Sequence, residues 1–241
     1  MRLNKKIIGI NEPRAAEICL IDDYHATSIM KSIFLPLAIL CALIAIACRV
    51  HFIPWPLDIV FGPLVIACLI GWIAPYAKTQ GRFGAIVILA LVISMVADFA
   101  IKFSFIAGLA VFLIVHIVYL AAFIPKAPPR HFVVPALIYI PAASAIVMTI
   151  IPGAREQGML WPVVAYVFCV TFMAISLAAA GLRQKGVFVR VAIGGTFFFI
   201  SDAMIGISRF AYDFPYSGVA ILAAYWIAQA LIASVLLPSK K

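Results

Sequence analysis

Between Ser32 and Leu237 the chain is a succession of eight apolar stretches, each about as long as a helix that crosses a bilayer, joined by short polar connections. They are Ser32 to Val50, Leu57 to Ala77, Phe83 to Lys102, Ser104 to Ile124, Phe132 to Ile151, Met159 to Ala180, Val187 to Phe210 and Tyr216 to Leu237. A hydrocarbon core of about 30 Å takes roughly 20 helical residues to cross. Lipid offers the backbone no hydrogen-bond partners, so each stretch must satisfy its own N–H and C=O groups, as helices and closed barrels do. A barrel strand alternates apolar and polar residues over about ten positions, and these stretches do not alternate. The sequence therefore predicts an all-α integral membrane protein, a bundle of eight transmembrane helices. Composition agrees, at 66% hydrophobic and 11% charged, where soluble domains are about half apolar.

The net charge of +9 is distributed by topology rather than as one patch, so it does not indicate a nucleic-acid partner. With the N-terminus in the cytoplasm, that side collects Arg2, Lys5, Lys6, Arg14, Lys31, Lys78, Arg82, Lys126, Arg130, Arg183, Lys185, Arg190, Lys240 and Lys241. The other side keeps Arg49, Lys102, Arg155 and Arg209. Such an excess places both termini in the cytoplasm, and the membrane is the inner one if the source is bacterial. Residues 1–31 then form a polar cytoplasmic tail, 32–237 the transmembrane domain and 238–241 a short cytoplasmic end. The tail mixes acids with bases, unlike the basic opening of a cleavable signal. Met30 would itself make an ordinary start. Connections are expected at Pro54 and Pro56, Lys126 to Arg130, Pro152-Gly153 and Phe214-Pro215. Trp55, Trp161, Tyr212 and Tyr216, and at the inner side Trp72 and Tyr76, fall at span ends where such rings favour the interface. Cys19, Cys41, Cys48, Cys68 and Cys169 form no CxxC pair, and all but Cys19 read as small apolar residues within helices.

Of nine carboxylates, only Asp98 and Asp202 fall deep inside the apolar stretches, Asp58 standing at the outer end of the second. A charged side chain in a bilayer costs several kcal/mol, so an intramembrane acid is a functional-site candidate by default. Asp98 lies about 22 Å along its span from Phe83, and Asp202 about 18 Å from Arg190 along another of the same direction, which puts them at similar depth. Each opens an Asp-x-x-Ile segment and is followed on its helical face by a base, Lys102 or Arg209. Long bases near helix ends, Arg49 included, snorkel to the headgroups.

His116 stands in the middle of the fourth span with Phe112 and Tyr119 on its face, and Tyr225 and Gln229 share a face of the eighth. Short connections make these spans neighbours of the two that carry the acids. A polar pocket of Asp98, His116, Tyr119, Asp202, Tyr225 and Gln229 is the resulting expectation. Each of the neutral residues has a plainer reading, as a hydrogen bond between helices or as packing. The histidines are scattered, so no zinc site is indicated, and no phosphate-binding loop or GxSxG elbow is present. Gly194-Gly195 reads as a close helix contact.

From the second span to the eighth the sequence resembles the lysoplasmalogenase family of integral membrane proteins, YhhN-like and including the animal transmembrane protein 86 group. The resemblance rests on Phe61-Gly62-Pro63-Leu64, on Ala97-Asp98 with Phe105-x-x-Gly108-x-x-x-Phe112-x-x-x-His116-x-x-Tyr119, on Gly194-Gly195-Thr196-x-Phe198-x-Ile200-Ser201-Asp202, and on Tyr225-x-x-x-Gln229. The family usually has Lys-Pro-Leu where this chain has Gly62-Pro63-Leu64, and Gly-Asp where it has Ala97-Asp98.

The resemblance implies hydrolysis of the vinyl ether of a lysoplasmalogen to a fatty aldehyde and a glycerophospho-base, with the lysophospholipid entering from the bilayer and no bound cofactor required. An alkenyl ether resists nucleophiles but hydrolyses once its β-carbon is protonated. A carboxylic acid taken out of water holds its proton for such a transfer, whereas a carboxylate beside a cation stays ionised. Asp202 is the expected general acid and Asp98 the stabiliser of the cation and activator of water, with the roles exchangeable. His116, Tyr119, Ser201, Tyr225 and Gln229 would bind substrate or relay protons, and Lys102 and Arg209 would meet the headgroup. The same acids also suit a small proton- or cation-coupled transporter, and an amidase or ester hydrolase acting on lipids is a third reading.

Overall fold

A computed structural model describes residues 33–50 and 57–238. The N-terminal tail with His25 and Cys19, the expected break at Pro54 and Pro56 with His51 and Trp55, and Lys240 and Lys241 lie outside the described residues. All regular structure among the described residues is helical. After α1 (Ile33–Arg49) come α2 (Asp58–Ala77), α3 (Gly81–Phe103), α4 (Phe105–Phe123), α5 (Val133–Glu156), α6 (Leu160–Gln184), α7 (Val187–Phe210) and α8 (Ser217–Ala233), with short 3-10 turns. Six helical segments are long and apolar enough to cross a membrane, the first of them, Ile59–Phe103, taking in both α2 and α3, while α1 is shorter. Phe103, Leu137, Met148 and Phe168 are each more than 60% exposed, at 71%, 71%, 77% and 63%. Lipid is the solvent in which such a surface is stable, and the protein is a multi-pass membrane protein.

The helices break where the backbone leaves helical space. Ser104 is extended, ends α3, and caps α4 by accepting the N–H of Ala107 at 3.3 Å. Between α5 and α6 the chain turns at Gly158, with φ of 68°. The expected connection at Pro152-Gly153 is not there, because α5 continues through both residues to Glu156. Neighbouring helices can hold a proline-bearing turn in place, and Gly153 packs so closely on the carbonyl of Phe210 that a Cβ would collide with it. Trp161, Tyr212 and Tyr216 are exposed as expected of interfacial rings, but Trp72 is buried among core residues instead. Cys41, Cys48 and Cys68 are buried free thiols, and Cys169 is half-buried.

α2, α3, α4, α6, α7 and α8 close into a ring, each packed on the next and α8 back on α2, while α5 lies outside against α6 and α7. α3 and α7 thus stand opposite one another, separated by two helices either way round. The glycine pair of α7 makes the close contacts its sequence suggests. A Cβ on Gly194 would stand 2.9 Å from Cγ1 of Ile232 and 3.0 Å from the carbonyl oxygen of Ala228, both on α8, and one on Gly195 would stand 3.0 Å from Cβ of Leu177 on α6. Overpacking of this kind costs about 1–3 kcal/mol. Gly194→Val is therefore expected to lower the melting temperature in detergent by about 2–10 °C, and an unchanged melting curve would refute the contact.

The α7–α8 connection is held by Asp213, whose Oδ1 accepts from Ser208 Oγ at 2.7 Å and from the Phe214 N–H at 2.9 Å. The hydroxyl of Ser208, then that of Ser217 and the Phe214 amide, hold the Asp213 carboxyl below its ordinary range. A depressed carboxylate contributes stability that is present above its unfolded value, roughly pH 4, and lost as pH falls through the folded value. The melting temperature of Asp213→Asn should accordingly lie below that of the wild type at pH 6 and approach it at pH 3. A gap that does not narrow at pH 3 would rule out ionisation as its cause.

Candidate functional site

The two intramembrane acids face one cavity. Asp98 on α3 and Asp202 on α7, each 8% exposed, line a cavity of about 380 Å³ in the interior of the ring. Its walls come from the C-terminal ends of α1, α3 and α7 and the N-terminal parts of α2, α4 and α8. Consecutive helices therefore run in opposite directions there, and all these ends meet at one face of the bundle. The Asp-x-x-Ile echo reappears in space, since Asp98, Ile101 and Lys102 line the cavity from one side and Asp202, Ile205 and Arg209 from the other. Asp202 also lines a second, smaller void of about 30 Å³ between α4, α5, α6 and α7, where Ile150, Val167 and Phe199 are among its neighbours. It stands at the junction of a polar chamber and an apolar slot.

Each acid has a phenol. Tyr225 Oη donates to Asp98 Oδ2 at 3.2 Å, and Tyr166 Oη donates to Asp202 Oδ1 at 3.1 Å. Nε2 of His116 lies 3.0 Å from Asp202 Oδ2, off the line that a hydrogen bond needs. Ring packing fixes these groups. His116 meets Tyr166 and Phe198 edge-on with centroids 5.0 and 5.1 Å apart, and Phe198 meets Tyr225 at 5.6 Å. One turn deeper, Tyr119 Oη donates to Gln229 Oε1 at 2.6 Å and Gln229 Nε2 donates to Ser94 Oγ at 2.9 Å. Ser94 Oγ in turn donates to the Ala90 carbonyl at 2.8 Å. This chain of bonds ties α4, α8 and α3 together beneath the acids.

The expected pocket is thus divided. Asp98, Asp202, Ser201, Tyr225, Lys102 and Arg209 line the cavity, with Ser201 Oγ donating to the Ile221 carbonyl at 3.0 Å. His116, Tyr119 and Gln229 do not line it; all three are fully buried behind its wall. His116 touches the cavity-lining Asp202 directly, at 3.0 Å, whereas Tyr119 and Gln229 bond to each other and to Ser94. Sequence reasoning missed Tyr166. The signal was available, because a phenol in an apolar span needs a partner for its O–H. Ser94 carried a weaker signal, since a helical serine commonly bonds its own preceding turn. Among the described residues no three His, Cys, Asp or Glu side chains are gathered as a metal would require.

Residues 57–236 match the YhhN family, a span that takes in both acids, the cavity-lining parts of α2 to α8 and the buried network beneath. The chain belongs to the YhhN family. Among its curated relatives, this YhhN protein is 32% identical to the human lysoplasmalogenase TMEM86A over 54% of the chain and 54% of the relative. It is 27% identical to a lysoplasmalogenase of Mycobacterium bovis over 66% of the chain and 63% of the relative. To the human lysoplasmalogenase TMEM86B it is 28% identical over 78% of the chain and 81% of the relative. The chain therefore spans less than two thirds of the length of the first two of these relatives. No solved structure matches it.

Proposed function

We propose that this YhhN-family protein hydrolyses the vinyl ether of lysoplasmalogens, the alkenyl-glycerophosphocholines and -ethanolamines, within the membrane. The observation that carries the reading is the position of the two aspartates, on opposite helices yet lining one cavity, with Asp202 also bordering an apolar slot. The vinyl ether is itself the junction between a polar glycerophospho-base and a hydrocarbon tail. A lysolipid with its headgroup in the larger chamber brings that bond to Asp202, where the polar lining gives way to apolar side chains.

The acid form of Asp202 gives its proton to the β-carbon of the alkenyl chain, and the ether oxygen stabilises the resulting cation as an oxocarbenium ion. The Asp98 carboxylate stabilises that cation and takes a proton from the water that attacks it. The hemiacetal so formed collapses to the aldehyde and the glycerophospho-alcohol, so one water is consumed for each C–O bond broken. The proton that water leaves on Asp98 passes back to Asp202 through the cavity that both line, which closes the cycle, while His116, 3.0 Å from Asp202 Oδ2, Tyr166 and Tyr225 position the two carboxyl groups. An acid or base positioned in this way contributes about 10²- to 10⁴-fold.

The topology goes with this reading. α1 also spans the membrane and brings the spans to eight, both termini lie in the cytoplasm, and the cavity opens at the other face. Of the bases among the described residues, Lys78, Arg82, Lys126, Arg130, Arg183, Lys185 and Arg190 lie at the helix ends away from the cavity, against Arg49, Lys102, Arg155 and Arg209 at its end, as positive-inside sorting requires.

The test is to incubate the purified full chain with a lysoplasmalogen and, separately, with the saturated ether of equal chain length. Aldehyde is expected from the first and not from the second. No aldehyde from either, with proton-linked uptake into liposomes, would replace the hydrolase by a transporter.

A further inference from the structure

The face of the bundle that is poor in bases does not scatter the few it has. Arg49 at the end of α1, Lys102 at the end of α3 and Arg209 at the end of α7 all line the cavity of the two aspartates, whereas the fourth base, Arg155, does not. Three helices that are distant in sequence bring them together. Arg49 reaches its place because α8 offers no side chain there. The position a Cβ would take on Gly218 is 3.6 Å from Arg49 Nη1 and 3.8 Å from its Cδ. On the facing helix a Cβ at Gly62 would meet nothing within 4 Å, so the chamber stays open beside the guanidinium.

Two carboxylates alone would repel an anion, and Asp213 stands with Arg49 in the adjoining surface pocket, but three bases from three helices line the one chamber. A phosphodiester carries one negative charge, and the forked guanidinium of arginine matches its two free oxygens. We infer that Arg49, Lys102 and Arg209 bind the phosphodiester of a single-chain lipid, and that α1 completes this site. That the bearer is a lipid rests on the hydrolase reading above; the anion site rests on the convergence of the bases. Arg49 also lies outside the matched residues 57–236, so this part of the site belongs to α1 and not to the family region.

Titration calorimetry on the detergent-solubilised full chain tests it with two ligands that cannot be cleaved, a 1-O-alkyl-glycerophosphocholine and the 1-O-alkylglycerol of the same chain length. The wild type is expected to bind the phospholipid at least about ten-fold more tightly, and Arg49→Gln to lose most of that preference. Arg209→Gln, on another helix, repeats the test should Arg49→Gln fail to fold. Equal affinity for the two ligands in the wild type, or a variant that weakens both alike, overturns the site. Displacement of the ether lipid by glycerophosphocholine at equal concentration overturns its assignment to a lipid-borne phosphodiester. Since neither ligand is hydrolysed, a protein that keeps the phosphate preference but releases no aldehyde would sink the catalytic reading and leave the anion site standing.

Discussion

Asparagine at position 202 is expected to lower kcat for aldehyde release by about 10²- to 10⁴-fold, with KM changed by no more than about three-fold. The side chain keeps its shape and can still accept the Tyr166 hydroxyl, now 3.1 Å from Oδ1, so the ring of helices has no reason to open. What asparagine lacks is a proton acidic enough to be given to carbon. Protonation of the alkenyl carbon is the slow step of vinyl ether hydrolysis, which makes the loss a loss of transition-state stabilisation and not of binding. Two further readouts separate this from a damaged protein. The wild type should turn over more slowly in deuterated water, because the transferred hydron is in flight at the barrier, and Asp202→Asn should elute and melt as the wild type does. Folded Asp202→Asn with kcat within about ten-fold of the wild type would remove the acid from the mechanism.

The parts of this protein that a reader of the sequence can see are those with a high local cost. A helix must be apolar along its whole length to lie in lipid, so the stretches stand out. An acid within such a stretch is costly enough to be rare, so Asp98 and Asp202 stand out too. The glycine pair at 194 and 195 is equally visible, and its contacts on α8 and α6 follow. What stays hidden depends on the order of helices around the ring. That α5 lies outside and α6 inside is a long-range fact, and it is what brings Tyr166 to Asp202. The same closure decides that His116, Tyr119 and Gln229 stand behind the cavity wall and not in it, although each faces the interior as its helical position suggests. Arg49 looked like a base reaching for headgroups from a helix end; only the placement of α1 beside Gly218 shows it lining the chamber.

Asparagine at position 98 should lower kcat over the same range, about 10²- to 10⁴-fold, but by removing a different contribution. Here the charge is what matters, because asparagine can neither balance a developing oxocarbenium ion nor take a proton from water. Tyr225→Phe separates the carboxylate from its support. It deletes the 3.2 Å hydrogen bond to Asp98 Oδ2 but leaves the ring in place against Phe112 and Phe198, so a fall of no more than about 10- to 150-fold is expected, a single hydrogen bond to a charged group being worth about 1.5–3 kcal/mol. The double variant Asp98→Asn/Asp202→Asn gives the sharper result. If the two acids serve one protonation and its capture by water, losing either already stops the reaction, and the pair should be no slower than the slower single variant by more than about ten-fold. Multiplying effects would mean that the two carboxylates act in separate, independent steps. Full turnover in folded Asp98→Asn would leave Asp98 only a structural partner of Tyr225, and Asp202 would then have to work without a second acid.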